Sequence, residues 1–303
     1  MNQWTQWIAV ATGIAFLGML GAGCYEAPEP DAAAVNAEDL DVVSDAAAEA
    51  RVEEATAVSG LAVSPETQAR IDAYTADLLT SLKRSADFLA AQESFSFQTD
   101  IAFDVVQANG QVLEFGGTRD YLMRRPDRLR IESIDDDGGV KQLFFDGTSI
   151  LIDMPNEDAY VQVEKPGTLY AAMDYLVEEL GAPSPLEDFT SENFAAGPAD
   201  RIVSGFYVQR VMLGARICEH LAWRTKDVDV QLWVQEGDEP VPCRVVITYK
   251  KTEAHPQFAA DFHLWDFAPD VDDELFAFTP PESAERLQVQ SFVRELRDDM
   301  EGK

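Results

Sequence analysis

The sequence predicts a mainly β (α+β) protein: a curled antiparallel sheet of about 11–12 strands, an incomplete β-barrel, with helices packed in or over its concave face. Three observations predict it. Apolar residues alternate with polar ones at period two over long stretches, Gly-containing turns punctuate the stretches, and two helical patterns bracket the first block of strands.

The first helical pattern opens at Ser64-Pro65, where Ser suits the N-cap and Pro the first helical position. Ile71, Tyr74, Leu78 and Leu82 then follow at helical spacing, so one face must dock. After Glu93 the period changes to two. In SFSFQTDIAFDVV, Phe95, Phe97, Ile101, Phe103 and Val105 share one face and Ser94, Ser96, Gln98, Asp100 and Asp104 the other, the signature of a half-buried antiparallel strand. Leu113, Phe115, Tyr121 and Met123 continue it in one long strand, whose Gly116-Gly117 permits a bulge or a sharp coil. Leu129 and Ile131 alternate with Arg128, Arg130 and Glu132. Asp135-Asp136-Asp137-Gly138-Gly139 and Asp146-Gly147 read as hairpin turns, because Gly accepts the positive φ they need. From Thr168 to Leu180, Leu169, Met173, Leu176 and Leu180 form one helical face that Gly181 ends. Val228 to Val234 and Val241 to Tyr249 alternate again around Glu236-Gly237-Asp238.

The 303 residues carry 55 acids and 23 bases, a net charge of −32, which disfavours nucleic acid and anionic surfaces and keeps an exported protein soluble and monomeric. Ile8 to Leu20 is apolar but short of the about 20 residues a membrane span needs, so residues 1–23 read as a signal peptide. Gly21-Ala22-Gly23 before Cys24 resembles a bacterial lipobox, making Cys24 the expected lipidation site; simple secretion and a retained anchor are the alternatives. Residues 24–62 form an acidic disordered tether: between 25 and 62, ten acids face the single Arg51. The folded domain is expected over 63–287 and a helical tail over 288–303.

Arg125-Pro126-Asp127-Arg128-Leu129-Arg130, followed by Phe145-Asp146-Gly147 and Tyr160, resembles the pattern of periplasmic lipoprotein carriers of the LolA/LolB type. The chain is more similar to a family of predicted periplasmic proteins, domain of unknown function 2092, whose later marks match His220-Leu221, Asp229 to Trp233, Pro256-Gln257 and Trp265. The resemblance spans roughly residues 70–285. It implies an incomplete barrel with a helical lid around an apolar cavity, and no assigned activity. A membrane-anchored form would look more like the acceptor of the carrier pair than the soluble shuttle.

The sequence contains no GxSxG elbow, P-loop or GxGxxG. Cys218, His220 and His263 could be imagined around a metal, but the spacing of known sites is absent, so neither metal nor cofactor is expected. Glu219 and His220 are the best candidates for a hydrolase, which is the third reading. Cys218 and Cys243 are expected as free thiols, because the strand carrying Leu232-Trp233 separates them by about 10 Å of sheet, beyond the roughly 7 Å a disulfide spans; pairing in an exported protein is the alternative. The acidic runs at Asp135–Asp137 and Asp270–Glu274 read as solvated loops, and Arg124 to Arg130 as an outward strand face paired with acids.

The resulting expectation is a non-catalytic cell-envelope lipoprotein, on the outer membrane in preference to the inner. It would bind an apolar ligand (an acyl chain, lipid or lipoprotein) between Phe97, Ile101, Phe103, Phe115, Tyr121, Met123, Leu129 and Ile131 of the sheet and Leu169, Met173 and Leu176 of the helix. The alternative is an envelope interaction or structural protein in which the same residues make a filled core.

Overall fold

The computed structural model describes residues 65–179 and 201–293. The expected leader with Cys24, the tether, the Ser64 cap, the Leu180-Gly181 helix end and residues 294–303 of the tail lie outside the described residues. Residues 65–73 are helical and belong to a separate unit; the body of the fold begins at Tyr74.

Helix α1 is Pro65–Ala90 and helix α2 is Leu169–Glu178. The strands are β1 Ser94–Val106, β2 Val112–Arg124, β3 Arg128–Asp135, β4 Val140–Phe145, β5 Ser149–Met154, β6 Ala159–Glu164, β7 Ser204–Leu213, β8 Arg216–Arg224, β9 Val228–Gln235, β10 Pro242–Tyr249, β11 Gln257–Asp266 and β12 Glu285–Arg286. They form one sheet in the order β12-β6-β5-β4-β3-β2-β1-β11-β10-β9-β8-β7. Its two end strands, β12 and β7, do not pair with each other, so the sheet stays open rather than closing into a barrel. Pairing is antiparallel throughout except where the two residues of β12 run parallel to β6. The first meander, β1 to β6, grows outward from the centre; the second begins at the far edge with β7 and returns until β11 lies against β1.

Local chemistry explains the turns. At Asp146-Gly147 the Gly has φ +86, and the Asp146 carboxylate accepts the N–H groups of Thr148 and Ser149 at 2.8 and 2.7 Å. Of the bulge or sharp coil that Gly116-Gly117 permits, a bulge against β1 is not formed, because β1 and β2 pair without interruption through both residues. These glycines serve close approach: a side chain at Gly116 would meet the Ile101 carbonyl, and one at Gly117 the Ile134 carbonyl.

The register breaks elsewhere. On β11, Leu264 adopts φ +50 and the pairing with β1 skips between Gln98 and Ser96, which turns Leu264 out to 73% exposure and brings Trp265 onto the aromatic cluster around Phe97. On β10, Cys243 sits at a second break between Pro242 and Arg244.

That second break overturns the expectation of free thiols: Cys218 and Cys243 form a disulfide with their Cα atoms 7.1 Å apart. The strand between them is real, but β9 ends at Gln235, opposite Cys218, and the irregular turn into β10 lets the flanking strands converge there. A count over regular strands could not anticipate it.

The basic run is the expected outward face paired with acids, Arg124 with Asp273, Arg128 with Asp127 and Arg130 with Glu132, and the acidic runs show what that pairing organises. Asp272 caps the 3-10 turn Asp273–Phe276 by accepting the N–H groups of Glu274 and Leu275. Asp273 pairs with Arg124, whose guanidinium lies 5.4 Å from the fully buried Phe276 ring. Phe278 stacks on Phe144 at 5.0 Å, and Arg130 lies over the other partner of that stack at 5.5 Å. The chain after β11 therefore straps the face that bears Arg124 and Arg130. Asp270–Glu274 is the expected solvated loop, with Asp273 exposed even in its ion pair, whereas Asp135 departs from expectation and is largely buried between Arg119 and Lys141.

Candidate functional site

Cross-strand partners share a face, so the register sorts the inner wall of the sheet into rows. One row runs Phe95, Met123, Leu129, Phe145, Ile150. Every member is at most 1% exposed. Helix α2 starts beside this row: Thr168 caps it by accepting the Ala171 N–H, and the Leu169 N–H donates to Pro126 O at 2.9 Å in the β2–β3 turn. The apolar face of α2, Leu169, Ala172, Met173 and Leu176, then joins the same core.

One pleat further along lies the row Phe97, Tyr121, Ile131, Leu143, Ile152. Its ends, Phe97 and Ile152, are buried, whereas Tyr121, Ile131 and Leu143 are only half-buried although they face the core. Phe97 stacks between Tyr121 and Trp265, with ring centroids 4.5 Å away on each side, and Phe262 adds a further ring at 5.7 Å. Trp265 is held by its Nε1–H, which donates to Pro242 O at 3.3 Å.

The third row is polar: Thr99, Arg119, Ser133, Lys141. Arg119 donates to the carbonyls of Thr118 and Ile134 and pairs with Asp135, and Lys141 reaches the same carboxylate at 3.3 Å. Among the described residues the fully buried Thr99 hydroxyl has no partner. Desolvation pushes the neighbouring Tyr121 phenol up to about 12 against the pull of Arg119, so it stays a neutral donor.

All eleven residues expected to line a cavity fall in or against one core cluster. Eight are buried, namely Phe97, Ile101, Phe103, Met123, Leu129, Leu169, Met173 and Leu176; Phe115, Tyr121 and Ile131 are partly open. Sequence reasoning missed Trp265, Phe262 and the polar row. Arg119 has the same strand parity as Tyr121 and could have been read as inward-facing. Trp265 could not, since only the break at Leu264 turns it in.

At the far end of the wall, α1 is seated by Leu78, which packs where Gly205 has no side chain, and by Ser81 and Arg84, both donating to Glu219 at 2.7 Å. His220 turns to the opposite face, stacked on Trp233 at 4.2 Å and 3.1 Å from the Gln231 amide oxygen. Glu219 and His220 thus point away from each other and do not form one site, and Cys218 is taken up by its disulfide. A groove of about 380 Å³ opens on that opposite face, bordered by Gln98, Asp120, Leu122, Arg130, Glu132 and Leu264. Among the described residues no helix is long and apolar enough to cross a membrane.

The chain is similar in structure to the lipoprotein LppX of Mycobacterium tuberculosis, with 10% identity and TM-score 0.41 over 65% of this chain and 99% of that one. It is also similar to LprF of Mycobacterium bovis (11%, TM-score 0.42, 70% and 99%) and to a LolA superfamily protein of Nitrosomonas europaea (10%, TM-score 0.32, 66% and 97%). Among curated proteins none matches. Residues 79–290 match the model of one family over most of the chain, and the protein belongs to it: the predicted periplasmic proteins DUF2092.

Proposed function

We propose that this protein is a non-catalytic component of the cell envelope that shelters an acyl chain or a similar apolar ligand against the inner wall of its open sheet. The observation that carries this is the contrast between adjacent rows. Tyr121, Ile131 and Leu143 stay half-open in the middle of a wall whose neighbouring row is sealed to 1% or less. Apolar side chains left partly wet in the interior of a fold hold free energy that a ligand can recover, at about 0.8 kcal/mol per buried CH₂. A sixteen-carbon tail gains on the order of 10 kcal/mol, and association costs several, which leaves micromolar binding.

A second reading, an interaction protein with a filled core, draws on the eight buried members of the same set. Native mass spectrometry and dye displacement with fatty acids and phospholipids separate the two. Bound lipid or saturable displacement supports the carrier; neither, in a folded sample, supports the filled core.

The proposal includes the leader and the lipid anchor at Cys24, with residues 24–62 as the tether and 63–287 as the binding domain. Metabolic labelling with palmitate tests the anchor: label in the wild type that disappears in Cys24→Ala supports it, and an unlabelled wild type removes it.

A further inference from the structure

The polar row beside the half-open apolar row has a chemistry that the binding of a bare hydrocarbon leaves unused. Arg119 and Lys141 face inward and, among the described residues, share the single carboxylate of Asp135, so these three side chains together carry one positive charge in a chain whose net charge is −32. Charged side chains turned toward an apolar wall are costly unless they are paired, and this cluster is over-paired with cations. The Lys141 ammonium has three N–H groups, of which one is engaged by Asp135. Among the described residues the buried Thr99 hydroxyl, opposite Arg119 in the register, is without a partner. Tyr121 makes its ring contacts with Phe97 and keeps its phenol protonated. Donors and positive charge therefore gather on one side of the slot, and the rows lie about 7 Å apart, two residues along a strand.

We propose that the ligand is an anionic amphiphile: its tail lies along Phe97, Tyr121, Ile131 and Leu143, and its carboxylate or phosphate oxygens meet the Lys141 ammonium, with Arg119 behind it. This rests on the acyl-chain reading above and specifies the head group. A neutral head would leave the surplus charge uncompensated, and a cationic one would oppose it. Asp135 remains with Arg119, so the incoming anion takes the place of water on Lys141 rather than breaking the buried pair.

The test compares palmitate, hexadecyl phosphate and hexadecanol by dye displacement on the full chain. The two anions are expected to bind about 10-fold more tightly than the alcohol, the size of one charge-assisted hydrogen bond. Lys141→Gln should erase that preference, and Lys141→Arg should keep it. Sodium phosphate without a tail should displace nothing, which separates a lipid head from a free anion site. Equal binding of acid and alcohol by the wild type, or a preference that survives Lys141→Gln, overturns the head-group assignment and leaves the acyl-chain reading standing. If none of the three amphiphiles binds, that reading fails and takes this one with it.

Discussion

Two neighbouring rows of the inner wall are built from the same kinds of residue and end in different states. Phe95, Met123, Leu129, Phe145 and Ile150 are sealed, while Tyr121, Ile131 and Leu143, one pleat away, remain half-open. Composition cannot explain the difference, since both rows are apolar and both cross the same strands. Position does: helix α2 is tied to the β2–β3 turn through the Leu169–Pro126 hydrogen bond, next to the first row. The apolar pattern of a strand tells which side chains face inward, and the covering element then decides which of them become core and which become wall.

The strongest way to break this comparison is to truncate each row in turn. Phe145→Ala in the sealed row should cost about 3–5 kcal/mol, the range for a fully buried aromatic, whereas Ile131→Ala should cost about 1–2 kcal/mol because water already reaches it. Urea unfolding midpoints measure both. Equal losses would mean that the second row is as tightly filled as the first.

Removing the Cys218–Cys243 disulfide comes next. The two cysteines are 25 residues apart in sequence, and closing a loop of that size stabilises the fold by about 3–4 kcal/mol through the unfolded chain. The double Cys→Ala variant should melt earlier and keep its ligand affinity, because neither cysteine belongs to the inner cluster. Lost affinity with intact folding would show that the two faces of the sheet are coupled.

Thr99→Val sharpens the comparison at its polar margin. Among the described residues the buried hydroxyl has no partner, so deleting it should stabilise the protein by up to about 1 kcal/mol, as read from urea midpoints. A destabilised variant would indicate that the hydroxyl is satisfied in solution.

The smallest effect concerns acid stability far from the slot. Hydrogen bonds from Arg224, then from Lys250, hold the Asp229 carboxyl at about 2, below its ordinary 3.8, despite partial burial. A depressed carboxylate contributes stability above its unfolded value that is lost as the pH falls toward the folded one. Asp229→Asn should therefore lower stability at neutral pH slightly and flatten the loss between pH 3.8 and about 2, as read from thermal melts. The inner rows should be indifferent to it.

Much of this fold was legible in the residues. Phe95 to Val105, Leu113 to Met123 and Val228 to Val234 announced their strands by alternation, and Thr168 with Leu169, Met173 and Leu176 announced α2. The faces were legible too, because parity alone fixes them. Arg119 was legible by the same parity and was passed over. The disulfide, the inward turn of Trp265 and the clasp of Asp273 on Arg124 were not, since each depends on a break in regular geometry or on segments far apart in the chain.

The sequence by itself determined that an antiparallel sheet forms, which side chains share its inner face and where the hairpins turn, since these follow from local backbone preferences and a period of two. Only the tertiary structure decided that β1 meets β11, that α2 starts beside one row while the next stays half-open, and that Arg119, Asp135 and Lys141 converge beside it. Those outcomes depend on which distant surfaces lose water together, and burial is a property of the packed whole that no single stretch of chain carries.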